Sequence, residues 1–224
     1  MLAIFKREFK SYFQNVIGWL FVAALLAVYG LYFYVYNLKN GYPYISYDLN
    51  GIGFIMMIAV PILTMRSLSD EKKTKTDQLM LTSPVSVGRI VAGKYLAMAA
   101  VYTIDIALFA LSPLVLSIYG KVALSEAYVA LFGYWLYGLS CIAVGLFISS
   151  ISESVIISAI LTFTALFLSY MMQSITGLIS SSGNLLTKVL NCFDLYTPFE
   201  NFVSGCFSVT SAAYYVTVTL LLCF

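Results

Sequence analysis

The sequence predicts an all-α, polytopic helical bundle that lives in a membrane, and three observations predict it. Of its 224 residues, 61% are hydrophobic and only 10% charged, and the mean hydropathy is +0.92, which is too apolar for a soluble domain of this length. The apolar residues come in runs of roughly 20, the length that crosses a hydrocarbon core about 30 Å thick at about 1.5 Å of helix per residue. Nine of the twelve Lys and Arg residues fall in just two places, 1–14 and 66–94.

Residues 1–14 space Leu2, Phe5, Phe9 and Tyr12 or Phe13 by threes and fours, with Lys6, Arg7, Lys10 and Gln14 elsewhere on the wheel. That pattern predicts an in-plane amphipathic helix, apolar face in the lipid and basic residues toward anionic headgroups. The run 16–36 carries no charge and exceeds the roughly 7–15 residues of a signal-peptide core, so it reads as a retained span. Further spans are expected at 50–65, 90–118, 127–149 and 155–173. A final run at 212–224 is too short to cross and reads as an incomplete last helix. Pro61 and Pro113 are expected to kink the helices that contain them.

The basic residues cluster before the first span and in 66–94, against single lysines at Lys39, Lys121 and Lys188 in the alternate loops. The positive-inside rule therefore places the N-terminus and the segment 66–89 in the cytoplasm and the loop 175–211 outside. In that loop, Thr197, Pro198 and Glu200 have the pattern of an N-cap, a first-turn proline and a capping-box acid. A short helix is expected from Pro198, with Phe199, Phe202 and Val203 on one side, resting in or dipping into the outer interface.

The chain has no histidine, so it lacks the commonest general base and the commonest metal ligand. Its cysteines show no close paired spacing. Cys141 and Cys223 sit in apolar runs as small hydrophobes, whereas Cys192 and Cys206 share the external loop and would pair if it faces an oxidising compartment. The stretch Gly88 to Tyr95, GRIVAGKY, imitates a phosphate-binding loop. That loop needs a preceding strand and a Ser or Thr for magnesium, whereas here Tyr95 takes the last place and the stretch runs into a membrane helix.

Asp105 falls midway through the third span, where an ionisable group costs several kcal/mol unless it is paired or hydrated, in order-of-magnitude terms. Two roles stay open. It either faces the bundle and bonds Tyr102, Thr103 or a hydroxyl on another helix, or it lies on a transport path.

The segment 66–89 holds the remaining signal. Ser67 and Asp70 suit a helix start, Pro84 should stop the helix near Ser83, and a polar stretch over 69–76 precedes the compact apolar knob of Leu79, Met80 and Leu81. Such a knob suits insertion into a groove of a soluble partner, and equally a membrane-surface loop whose leucines dip into lipid.

Glu71, Lys72, Lys73, Thr76, Leu79, Leu81, Thr82, Ser83 and Pro84, followed by Arg89, Ile90, Gly93 and Lys94, resemble the cytoplasmic signature of permease subunits of type-2 ABC exporters. The order of membrane helices, the N-terminal amphipathic helix and the 197–205 stretch are similar too, nearest to the gliding-motility-type and nitrous-oxide-reductase-maturation-type branch. Two positions depart from the pattern: Lys75 stands where Gly is usual, and Gln78 where Glu is usual.

The resemblance implies a six-helix permease in the cytoplasmic membrane, with an ABC ATPase subunit as soluble partner and a second permease subunit, identical or sister, beside it. It implies that ATP and Mg bind the ATPase, that this chain binds no cofactor and no nucleic acid, and that Asp70, Glu71, Thr76, Leu79, Leu81, Thr82, Ser83 and Pro84 form the coupling segment. The competing reading is a non-transporting membrane scaffold that anchors an ATPase or an assembly complex. A channel or ion-coupled transporter would need several intramembrane charges where Asp105 stands almost alone.

Overall fold

The computed structural model describes residues 2–75, 86–120, 122–179 and 193–223. Thr76, Leu79, Leu81, Thr82, Ser83 and Pro84 of the expected coupling segment lie outside the described residues, as do Gln78 and Cys192. Among the described residues every regular element is a helix, as the sequence predicts.

The amphipathic helix α1 (Leu2–Gln14) precedes α2 (Val16–Phe33), which continues as a π-helical turn, Tyr34–Lys39. Next come α3 (Ser46–Thr64), the short α4 (Ser69–Lys73), α5 (Val87–Phe109) and α6 (Ser112–Tyr119). The chain then forms α7 (Leu124–Ile151), α8 (Val155–Ile179), the short α9 (Thr197–Val203) and α10 (Val209–Cys223). Five stretches are long and apolar enough to cross a membrane, namely Val16–Lys39, Ser46–Lys73, Val87–Tyr119, Leu124–Ile151 and Val155–Met172, and α10 is a shorter apolar helix.

The third expected span is two helices. Pro113 has no N–H to give, and its ring displaces the carbonyl four residues back. That carbonyl belongs to Phe109, and it accepts the Ser112 hydroxyl at 2.7 Å instead. Tyr29 of α2 bonds the same Ser112 side chain, which fixes the break against a neighbouring helix. Pro61, by contrast, sits inside α3 without ending it.

The core is organised around α7, which packs against α3, α5, α8, α9 and α10. Tyr102 of α5 lies so close to Gly138 that a Cβ there would collide with its ring, and its hydroxyl donates to the Tyr134 carbonyl at 2.7 Å. Rings of Phe109, Tyr134, Tyr137, Phe199 and Tyr215 stack on from there through the bundle. Cys141 and Cys223 are buried, and Cys206 is exposed with a free thiol.

Helix α9 goes deeper than an interfacial rest: Phe199 and Phe202 are fully buried. Its start also differs from the expected Thr197 cap. Asp194 accepts the backbone N–H groups of Tyr196 and Thr197 at 3.0 Å each, and takes the Thr197 hydroxyl as well. A carboxylate offers two oxygens where a hydroxyl offers one, so the acid outcompetes the threonine for the helix start.

Helix α1 does not give its whole apolar face to lipid. Phe9, Tyr12 and Phe13 pack against the bundle, and Trp19 of α2 donates its indole N–H to the Phe13 carbonyl at 2.9 Å. That bond satisfies one of the carbonyls left open at the end of α1.

Candidate functional site

The polar segment begins with α4, and neighbouring helices hold α4 at both of its ends. A helix this short cannot stabilise itself, and its first residues lack a capping side chain of their own. Ser149, in the last turn of α7, supplies the cap. Its hydroxyl oxygen accepts the N–H groups of Leu68 and Ser69, each at 3.2 Å. Ser69 Oγ donates to the Met65 carbonyl at 2.7 Å, which leaves Ser149 as the donor in the 2.9 Å contact between the two serines. Lys72 donates to the Ser150 carbonyl, a cation placed where the dipole of α7 ends negative. The helix start expected from Ser67 and Asp70 is thus made by a serine 80 positions away in sequence.

The second tie is ionic. Lys94, in the second turn of α5, is 2% exposed. Its Nζ lies 2.7 Å from Glu71 Oε1, 2.7 Å from the Ser67 carbonyl and 3.7 Å from Glu8 Oε1. Arg7 pairs with Glu8 at 2.7 Å and reaches Glu71 at 3.8 Å. Two carboxylates and two cations from α1, α4 and α5 therefore share one junction, and the carbonyl of Ser67 accepts a second of the lysine's three donors. Burial, and after it the Glu8 carboxylate, pushes the neighbouring Tyr12 phenol well above its usual range, so it stays a neutral hydroxyl.

An open cleft of about 510 Å³ runs along the junction between α1 and α4, lined by Arg7, Glu8, Tyr12, Arg66, Asp70 and Glu71 among others. Asp70 is exposed on the outer side of α4, with Lys73, Thr74 and Lys75 beside it. Of the expected coupling residues, Glu71 is turned into the bundle toward Lys94 and Asp70 faces out. Helix α4 ends on Lys75 at φ +55°, the left-handed conformation that glycine takes without cost. The departure from the family pattern at this position is therefore a lysine holding a glycine's backbone geometry.

Asp105 is fully buried, and neither of its carboxyl oxygens has a hydrogen-bond partner among the described residues. The expected bonds to Tyr102 and Thr103 are not made. Tyr102 is committed to the Tyr134 carbonyl, and Thr103 donates to the Ala99 carbonyl while accepting the Trp135 indole N–H at 3.1 Å.

Sequence reasoning found the Glu71 to Lys94 motif but not its pairing. It missed Ser149, Glu8 and Arg7 as members of the junction. A lone serine at a helix end gives no signal that it caps a different helix. For Glu8, the one acid on a helix otherwise rich in basic residues, the signal was present.

The arrangement contains no nucleophile–base pair. Chemically it is a fixed ionic clamp that joins a polar loop to three helices. A comparison with curated proteins found no match. A family model described as ABC-2 family transporter protein matches residues 31–224, a range that begins within α2 and includes α4, Lys94 and Ser149, so the chain belongs to the ABC-2 family of transporter proteins.

Proposed function

We propose that this permease subunit exports a substrate across the cytoplasmic membrane, its N-terminus in the cytoplasm. It works as one of a pair with two ABC ATPase subunits, which bind the ATP and Mg and dock on the segment from Asp70 through Thr76, Leu79, Leu81, Thr82, Ser83 and Pro84. Closure of the ATPases on ATP draws the two docking segments together and reshapes the interface between the bundles. Its nearest relatives in this reading are the gliding-motility-type and nitrous-oxide-reductase-maturation-type permeases, a placement supported by the 71–94 motif, the N-terminal amphipathic helix, the 197–205 stretch and the helix order together.

The observation that supports this reading is the double tie of α4. A loop that only covered a membrane surface would gain nothing from being anchored to α1, α5 and α7 together, whereas a loop that receives force needs such an anchorage. The exposed side of α4, with Asp70, Lys73 and Lys75, is free to meet a partner.

The test is a mild-detergent pull-down of the chain from its native membrane, with identification of co-purifying proteins and an ATP-hydrolysis assay. Leu79→Asp is expected to abolish ATPase association while leaving membrane insertion intact. Unchanged co-purification of the ATPase with that variant would remove the docking claim. An ATPase that co-purifies while inverted vesicles show no ATP-dependent transport would favour a scaffold instead.

A further inference from the structure

At the end of the bundle opposite α4, two buried side chains present oxygen atoms that no donor among the described residues reaches. Asn37, on the π-helical turn that extends α2, donates its amide Nδ2 to Asp48 Oδ2 in the first turn of α3. Both residues are buried, and Asn37 Oδ1 and Asp48 Oδ1 are left without a partner. Each of these oxygens is an acceptor, and an unpaired buried acceptor is costly. Flipping the Asn37 amide does not relieve this, because it would set the amide oxygen against the other oxygen of the Asp48 carboxylate.

The surrounding groups leave the need unmet. Tyr29 of α2 is near enough to Asp48 to feel its charge, but its hydroxyl is bound to Ser112, whose own proton goes to the Phe109 carbonyl. On the α9 side, Tyr196 commits its hydroxyl to Asn50. Lys39, at the end of the same π-helical turn, is exposed. Among the described residues Asp48 has no ion pair. A buried carboxylate with no cation beside it takes a proton sooner than it keeps its charge.

We infer that Asn37 and Asp48 form a proton-binding site: Asp48 is held as a neutral acid whose Oδ1–H donates to Asn37 Oδ1. One proton then satisfies both orphaned oxygens, and with the existing amide bond it closes a two-bond acid–amide ring. No bond is made or broken beyond the transfer of a proton from solvent to Asp48. The ring latches the π-helical turn to α3, and loss of the proton opens it by leaving two acceptors face to face. The placement of Asn37 fits this role. A π-helical turn inserts one residue into the helix and re-aims its side chains, and such turns recur at functional sites.

The experiment is infrared spectroscopy of the purified chain with thermal unfolding across pH. At neutral pH a protonated-carboxyl carbonyl band is expected that Asp48→Asn removes and Asp105→Asn leaves in place. The native state then holds a proton that the unfolded chain has released, so stability should fall as pH rises. That slope should flatten in Asp48→Asn. If Asp48→Asn does not fold, Asn37→Ser is read instead, and its band should move to the frequency of an acid that has lost its amide partner. No band assignable to Asp48 overturns the proposal. So does a Tm that rises with sodium at fixed pH in the wild type but not in Asp48→Asn, because the oxygens would then hold a metal cation and not a proton.

Discussion

Lys94 and Glu71 stand 23 positions apart in the chain and 2.7 Å apart in the fold, with the ammonium almost wholly enclosed. Taking two such charges out of water is expensive, and the pair is tolerable because the Ser67 carbonyl accepts a second lysine donor and the Glu8 carboxylate lies 3.7 Å from the ammonium. The pair therefore fixes position more than it adds net stability. It sets where the polar segment begins relative to α5.

Removing Lys94 takes from Glu71 the cation that stands 2.7 Å away and leaves it the longer contact with exposed Arg7 at 3.8 Å. Lys94→Ala should destabilise the bundle by about 3–5 kcal/mol, the usual cost of breaking a buried pair. Lys94→Met together with Glu71→Gln should recover much of that loss, because no charge is then left uncompensated. Thermal unfolding of the two variants in detergent compares them directly, and equal loss in both would show that packing, not charge, sets the cost.

Ser149→Ala removes the cap of α4 without touching α4 itself. The expected cost is about 1 kcal/mol, and it should be local. Hydrogen exchange over residues 66–75 should accelerate while the centre of α7 stays protected. Slowed or unchanged exchange there would place the cap elsewhere.

Gly138→Ala forces a methyl into the ring of Tyr102. Tyr102 cannot retreat freely, because its hydroxyl is tied to the Tyr134 carbonyl. Overpacking of this kind costs about 1–3 kcal/mol. A lowered Tm that Tyr102→Phe partly restores would follow from this geometry, since the phenylalanine ring is free to shift.

Lys75→Gly places the permissive residue at φ +55° and should tighten the end of α4 by up to about 1 kcal/mol. Lys75→Val, β-branched at the same angle, should loosen it. Protease sensitivity just after residue 75 ought to fall in the first variant and rise in the second.

The membrane bundle was legible because its cause is short-ranged. Runs of apolar residues must span and must be helical to satisfy their own backbone, and among the described residues every regular element is a helix. What the sequence concealed depends on partners far along the chain. Pro113 announced a bend, but only the fold shows Ser112 taking the Phe109 carbonyl and completing a full break. Thr197 had the pattern of a cap, yet Asp194, three residues earlier, wins by having more acceptor oxygens. Asp105 was legible as buried, and its lack of partners was not, because Tyr102 and Thr103 are occupied by contacts with α7 and with their own helix. The motif over 71–94 named Glu71 and Lys94 without showing that they meet, since no periodicity links residues on two different helices.

The break between α5 and α6 has a mechanical consequence. An unbroken helix carries an axial push along its whole length, whereas a helix whose hydrogen-bond ladder is cut absorbs the push by changing angle. Lys94 delivers any displacement of α4 to α5, which loses its rigidity at Phe109. Ser149 and Ser150 deliver the same displacement to α7, which runs 28 residues without interruption. The chain thus sets a compliant strut beside a stiff one, both tied to a single short helix, so a translation imposed at α4 would become a difference in motion between two neighbours at the opposite end.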